Sequence, residues 1–419
     1  MAQRWFQKLV IFQLSGVFYA FPGKAGDLLP PNVALPGVRA KGLGVPPVAL
    51  TGVAQGESSL HNPSWVGVET KAAQKRVLRG LYFPAVTLGA NGTTRALGRA
   101  YFGGQGSTQT SIEDFLKAAQ NAQTPFGMFE IFPSVTLWRA QWGLFARAHV
   151  EGFVWQPEAT AVSSGQVLTA DDGVGRISRD AFFLESPSSK INVSALLERG
   201  GSLSVSTPYK DTGLSLGLTF RPTWRSEYSG DVELADPLVS ESAKNLQAKF
   251  NETRGFPVSL GLHMRFPRLA LKPSVGLKLD DVGDTHYRAV SSSHQPLIQK
   301  SNLSAGVAAW MFQDKLLSSQ CTLSGHHLND GRVAKSRSIG AGCEILVQGQ
   351  IEGDIVSGAP FILRFGGTQD GFSYGVSWDT TFAIVEMAST VAQVNGPTGF
   401  LPRADRRYFM RITVDANQP

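Results

Sequence analysis

Cysteine is nearly absent: of 419 residues only Cys321 and Cys343 are thiols. That excludes a disulfide-built scaffold and a multi-thiolate metal centre. Charge is sparse as well, at 17% of residues, and the net charge of +6 is carried by basic residues that stand singly. A nucleic-acid partner is therefore not expected. No stretch beyond the N-terminus approaches the roughly 20 continuous apolar residues of a membrane helix, so a chain like this crosses a bilayer with strands or not at all. Signatures of catalysis are missing too: there is no His-Glu-x-x-His and no phosphate-binding loop. The chain reads as a non-enzyme with no cofactor; a lipase would need a Ser and a His to meet in the wall, and no spacing points to such a pair. His326, His327 and Asp330 suggest a metal site only at first sight, because adjacent strand residues face opposite ways; a solvated hairpin tip is the simpler reading.

What is abundant is glycine, 45 residues, and apolar–polar alternation. The N-terminus has Arg4 and Lys8, then the apolar run Leu9 to Phe21, then a small-x-small site ending at Ala25. This reads as a secretory signal peptide over 1–25, against the alternative of a buried first strand. The next region, 26–75, is too Gly-rich for a helix and too short for a domain. It reads as a plug that needs a container, with Gly42, Gly44, Gly52 and Gly56 allowing compact irregular packing and Asn62-Pro63 fixing a turn.

The container is expected over 76–419. Phe129, Ile131, Val135 and Leu137 alternate with Met128, Glu130, Phe132, Ser134 and Thr136. Leu214, Leu216, Leu218 and Phe220 alternate with Ser215, Gly217, Thr219 and Arg221; the pattern returns at 258–264, 271–279, 303–312 and on to 406–414. About fourteen such segments predict an all-β fold, an antiparallel transmembrane barrel with an even strand number. Connections sort by length: those at Arg139, 209–212, 267–268, 313–314 and 379–380 are short and fall on one side. The longest, near 91–125, 157–189, 227–255 and 281–299, fall on the other, as in outer-membrane barrels. Short helices are expected in the outer loops, at 112–122, after a capping box, and at 240–250. Trp138, Trp142, Trp155, Trp224, Trp310 and Trp378 suit interfacial girdles or the core. Cys321 and Cys343 flank a hairpin centred on Arg332 symmetrically, which leaves two readings open: a disulfide, or two small residues facing lipid.

The residues expected to face the lumen include Glu130, Arg147, His149, Glu151, Arg221, Arg225, His263, Arg265, Lys272, Lys278, Arg364, Glu386, Arg407 and Arg411. Such a lumen either binds an anionic head group or fills itself with ion pairs.

The stretches Arg39-Ala40-Lys41-Gly42-Leu43-Gly44 and Ser58-Ser59-Leu60-His61-Asn62-Pro63-Ser64 resemble the N-terminal hatch of the outer-membrane long-chain fatty-acid transporter superfamily (FadL type), and within it the PorV-like and TraF-like branch. The segments 213–220, 279–285 and 361–366 are similar to that branch as well. The chain departs from the family in reducing an acidic pair to Glu57 and in ending on Asp-Ala-Asn-Gln-Pro instead of an aromatic residue.

The resemblance implies a hatch built around Arg39, Gly42, Gly44, Ser59, Asn62 and Pro63, a location in the bacterial outer membrane, and contact with membrane lipid. It implies passive passage of a hydrophobic or amphipathic ligand through a plugged barrel. The PorV-like branch implies the alternative, a non-enzymatic shuttle or scaffold subunit that docks an envelope or secretion partner protein through its outer loops.

Overall fold

The structure is a computed structural model that describes residues 37–50, 58–66, 78–92, 94, 124–155, 161–163, 166–168, 190–207, 213–233, 250–291, 293, 295–314, 316–331, 338–348, 350–352, 355–357, 360–380, 383–394 and 403–415. The expected signal peptide and both expected loop helices lie outside these, apart from Phe250.

Period-two alternation produces strands with one apolar and one polar face, and here the two faces separate cleanly. In the segment Leu214–Phe220, Leu216 and Leu218 are exposed while Ser215 and Thr219 are buried. An exposed Leu beside a buried Ser is the inverse of a water-soluble sheet, and is the arrangement of a wall with lipid outside. Leu144 is 67% exposed on the same outer face.

Fourteen antiparallel strands follow in order. They are β1 (Leu78–Asn91), β2 (Phe126–Ile131 and Ser134–Leu137), β3 (Ala140–Trp155), β4 (Lys190–Ser206) and β5 (Leu214–Phe220 and Thr223–Glu233). Next come β6 (Asn251–Gly255 and Val258–Arg265), β7 (Ser274–Asp280 and Thr285–Ala289), β8 (Leu297–Gln299 and Asn302–Gln313) and β9 (Leu317–Gly325). The last are β10 (Ile339–Val347), β11 (Phe361–Thr368), β12 (Gly371–Asp379), β13 (Ala383–Val394) and β14 (Arg403–Asp415). Each pairs with its sequence neighbour, and β14 pairs with β1 from Tyr82↔Asp415 to Asn91↔Arg407, which closes the barrel. Closure leaves no edge strand to be satisfied in lipid.

Five strands are interrupted, and four of the interruptions are neighbours. Pro133 breaks β2, Pro222 breaks β5, Pro257 breaks β6, 281–284 breaks β7 and 300–301 breaks β8. Proline has no N–H to give the ladder. The breaks in β5 to β7 are level with each other: Arg221 N–H donates to the Pro257 carbonyl and Val282 N–H to the Val258 carbonyl.

Sequence expectation and structure part at four points. The stretches 227–255 and 281–299, expected as outer loops, contain strand: 227–233 and 251–255 extend β5 and β6, and 285–289 and 297–299 extend β7 and β8. Exposed residues there such as Glu252, Arg254, His286 and Arg288 are polar, so apolar–polar alternation does not mark them. The length rule also has two exceptions, a two-residue turn at 369–370 on the long-loop side and the connection 348–360 on the short-turn side. Lys272 is not a strand residue facing the lumen: it sits in the turn before β7 at φ 40° and donates to Gln313 Oε1. The tryptophans divide between the two places expected for them: Trp310 is core, 2% exposed and packed with Leu346, whereas Trp138, Trp142, Trp224 and Trp378 are exposed. Finally, the Gly-rich N-terminal stretch does form helix: α1 (Gly37–Leu43), the short α2 (Ser58–His61), and a 3-10 turn, Pro63–Trp65.

Cys321 and Cys343 are directly opposite on β9 and β10 and form a disulfide, Cα–Cα 4.0 Å, on the outward face of the pair.

Candidate functional site

The residues 37–50 and 58–66 carry backbone carbonyls without helix or sheet partners, and a buried carbonyl left unpaired is costly. Inward side chains of the strands supply the missing donors. Ser274 Oγ donates to the Ala49 carbonyl at 2.6 Å, Ser324 Oγ to Pro46 at 2.7 Å, Ser215 Oγ to Ser64 at 2.9 Å and Lys278 Nζ to Leu60 at 2.6 Å. Ser206 Oγ donates to the Val66 carbonyl, and His263 Nε2 lies 3.0 Å from the Ala49 carbonyl. Asn62 works in the opposite direction. Its Nδ2 reaches the Val48, Leu262 and Leu277 carbonyls within 3.0–3.4 Å, joining segment to wall, while its Oδ1 caps the turn by accepting from Ser64 N and Oγ.

Close approach requires the wall to lack side chains there, and it does. A Cβ on Gly276 would stand 1.9 Å from the Val48 oxygen, on Gly217 2.1 Å from the Pro63 carbonyl carbon, on Gly261 2.1 Å from Asn62 Oδ1 and on Gly366 2.3 Å from the Leu43 oxygen. These inward glycines, on β5, β6, β7 and β11, form a seat for the segment. A Cβ on Gly42 would stand only 3.3 Å from Gly375 Cα, and Gly44, at φ +69°, lies against Gly367 and Ser373.

Charge completes the seat. Arg39 donates to Glu344 through both Nε (2.8 Å) and Nη2 (2.6 Å), a bidentate pair. Arg364 Nε donates to the same Glu344 at 2.9 Å and its Nη1 to Glu386 at 3.0 Å; Arg411 Nη1 reaches Glu386 at 3.3 Å. A five-member ladder of alternating sign thus runs from α1 across β10, β11, β13 and β14. Arg39 also lies over the Trp65 ring at 5.6 Å, and Lys41 over Phe409 at 4.8 Å.

Beyond the seat, on the long-loop side and level with the strand interruptions, is a cavity of about 440 Å³. Pro46, Pro47, Val48 and Leu60 form its floor; Phe132, Phe145, Pro257 and Tyr287 give it apolar wall. Charged residues share the lining and are largely matched. Arg147 pairs with Glu198; Lys278 (2.8 Å) and Arg221 (3.7 Å) pair with Asp280. Register explains the pairing on the β2 to β5 side, since Glu130, Arg147, Glu198 and Arg225 stand opposite one another in a row across these strands.

The expected lumen residues divide accordingly. Arg364, Glu386 and Arg411 belong to the seat, as does His263. Glu130, Arg147 and Arg221 line the cavity. His149, Glu151 and Arg407 form a third cluster, with Arg407 2.8 Å from Glu151 and 3.1 Å from Asp405, and His149 3.4 Å from Glu151. Arg265 ends β6 near the turn. Of the hatch residues, Arg39, Gly42, Gly44, Asn62 and Pro63 all touch the seat, and Ser59 falls in α2.

Sequence reasoning missed Glu344, Glu198, Asp281 and the glycine seat. The seat carried a readable signal, a glycine at an inward position in LSLGL (214–218), SLGLH (259–263) and SVGLK (274–278). Among the described residues no group of three His, Cys, Asp or Glu side chains is placed to hold a metal.

No protein-family model and no curated sequence matches the chain. Among solved structures it is similar to a deletion mutant (deltaS2S3) of the monoaromatic hydrocarbon channel TodX, at TM-score 0.50 and 10% identity, over 92% of this chain and 100% of that one. It is also similar to the toluene transporter TbuX of Ralstonia pickettii (TM-score 0.49, 12% identity, 92% and 99%) and to the toluene transporter TodX of Pseudomonas putida (0.48, 10%, 94% and 100%). At 10% identity the likeness to the TodX variant bears on the fold alone, a closed antiparallel β-barrel.

Proposed function

We propose that the protein is a passive outer-membrane channel for small hydrophobic or amphipathic molecules, with residues 26–75 as its plug. The observation that carries this reading is the cavity of about 440 Å³, half apolar in character, held between the N-terminal segment and the barrel wall. Concave, largely preformed sites with a few placed polar groups are how small molecules are bound. The fold, shared with a monoaromatic hydrocarbon channel, supports the same class of cargo. The ion pairs of the lining weigh against an anionic head group, because the cations that would receive it are already taken. The placement in the PorV-like branch rests on the sequence resemblance alone, and the outer-loop helices on which docking would depend lie outside the described residues.

The test is uptake of radiolabelled toluene into vesicles whose outer leaflet is lipopolysaccharide, a leaflet that resists hydrocarbon. Vesicles holding the protein are expected to fill faster than empty ones. Equal rates would sink the reading.

A further inference from the structure

The acids and bases lining the cavity do not cancel completely. Asp280 is held by Lys278 and Arg221, and Glu198 by Arg147 and, at 3.8 Å, by Arg225. Lys300 is committed to Asp284 at 2.9 Å. Asp330, beside His327 in the lining, has a partner of its own, and two carboxylates remain. Glu130, 8% exposed, lines the cavity and makes no hydrogen bond or ion pair with any described residue. Its cross-strand neighbour Arg147 gives its hydrogen bonds to Glu198 and meets Glu130 only through space, and on its other side β1 offers only Thr87. Asp281, 3% exposed, takes its hydrogen bonds from neutral donors, Thr285 Oγ1 at 2.7 Å and Gln299 Nε2 at 3.1 Å; Arg221 and Lys278 act on it through space but are paired with Asp280.

A buried carboxylate without a cation is expensive, and a pocket that retains one is complementary to a positive or proton-rich group. The cations of the same lining are each engaged by a carboxylate, so a carboxylate ligand would meet like charge at Glu130 and Asp281 and no vacant partner elsewhere. The floor of Pro46, Pro47 and Val48 and the walls at Phe132 and Pro257 suit the apolar body of the ligand.

We propose that this cavity binds compact amphiphiles whose polar end is a hydrogen-bond-donating cation, a protonated amine attached to an aromatic or short alkyl body, with Glu130 as the primary acceptor and Asp281 as the second. This rests on the channel reading and specifies its cargo.

The test is titration calorimetry on the purified barrel in a non-ionic detergent, with 2-phenylethylamine and phenylacetate as probes that share a body and differ in the end group. The amine is expected to bind and the carboxylate to bind at least about tenfold more weakly, the scale of one charge-assisted hydrogen bond. Glu130→Gln keeps size and hydrogen-bonding capacity but removes the charge, and should lower amine affinity about tenfold. Asp281→Asn should do the same to a smaller extent, and serves if the first variant fails to show the heat-dependent mobility shift of a folded barrel. Absence of amine binding, equal affinity for the two probes, or an amine affinity unaltered in folded variants would overturn the assignment. Toluene uptake measured on the same preparation separates the outcomes: retained uptake without amine selectivity defeats only this inference, and absent uptake defeats the channel.

Discussion

The seat and the cavity use the same residue types to opposite ends. At the seat, every carboxylate is shared by two guanidinium groups, Glu344 by Arg39 and Arg364 and Glu386 by Arg364 and Arg411. The wall there is stripped to glycine, so that backbone meets backbone. Around the cavity the strands are interrupted, the wall side chains are large, and among the described residues no cation is hydrogen-bonded to the carboxylate of Glu130 or Asp281; the nearest ones, Arg147, Arg221 and Lys278, are paired with other acids. Buried charge is thus arranged for attachment in one place and for vacancy in the other. What decides between them is the count of partners within reach, set by cross-strand register.

The strongest way to break that contrast is at Glu344. Glu344→Gln leaves Arg39 and Arg364 facing a neutral amide, and breaking a buried pair of this kind costs about 3–5 kcal/mol. The urea midpoint of the barrel in lipid vesicles is expected to fall accordingly. Next comes Gly276→Leu. Its Cβ would meet the Val48 oxygen at 1.9 Å, a backbone atom that cannot swing aside, at a cost of about 3 kcal/mol or more. The segment is then displaced, and ion conductance through single barrels in a planar bilayer should rise about tenfold over the parent, as expected when a medium-sized barrel loses its filling. Smallest is Asp280→Asn at the cavity, where Lys278 and Arg221 lose a partner that is 16% exposed; about 1–3 kcal/mol is expected. If Asp280→Asn destabilised the barrel as much as Glu344→Gln does, the seat would hold no special place.

The barrel was legible in the sequence because its two faces obey different solvents. Leu216 and Leu218 outward with Ser215 and Thr219 inward is a pattern of period two that survives without any alignment, and it yields the strand number. The upper parts of β5 to β8 were not legible, since exposed residues there such as Glu252 and Arg288 are polar and apolar–polar alternation does not mark them. Arg39 was singled out by resemblance, but its partner was not: 305 residues separate it from Glu344, and only closure of the barrel brings them together. Lys272 was misplaced because alternation was extrapolated through a turn in which Leu271 and Lys272 both have positive φ. The glycines could have been read. An inward glycine in a strand costs stability unless something needs the space, and at least seven occupy inward positions on β5 to β12.

The bridge between Cys321 and Cys343 bears on how such a barrel is put together. The two residues lie 22 apart in the chain, on neighbouring strands, and face lipid. Forming the bond requires only the β9–β10 hairpin and an oxidising compartment, not the other twelve strands. A nascent chain can therefore arrive at the membrane with one strand pair already locked in register, Cys321 against Cys343, and with Gln320 and Glu344 consequently directed to the same side. The residue that later receives Arg39 has its orientation assigned before there is an interior for it to face.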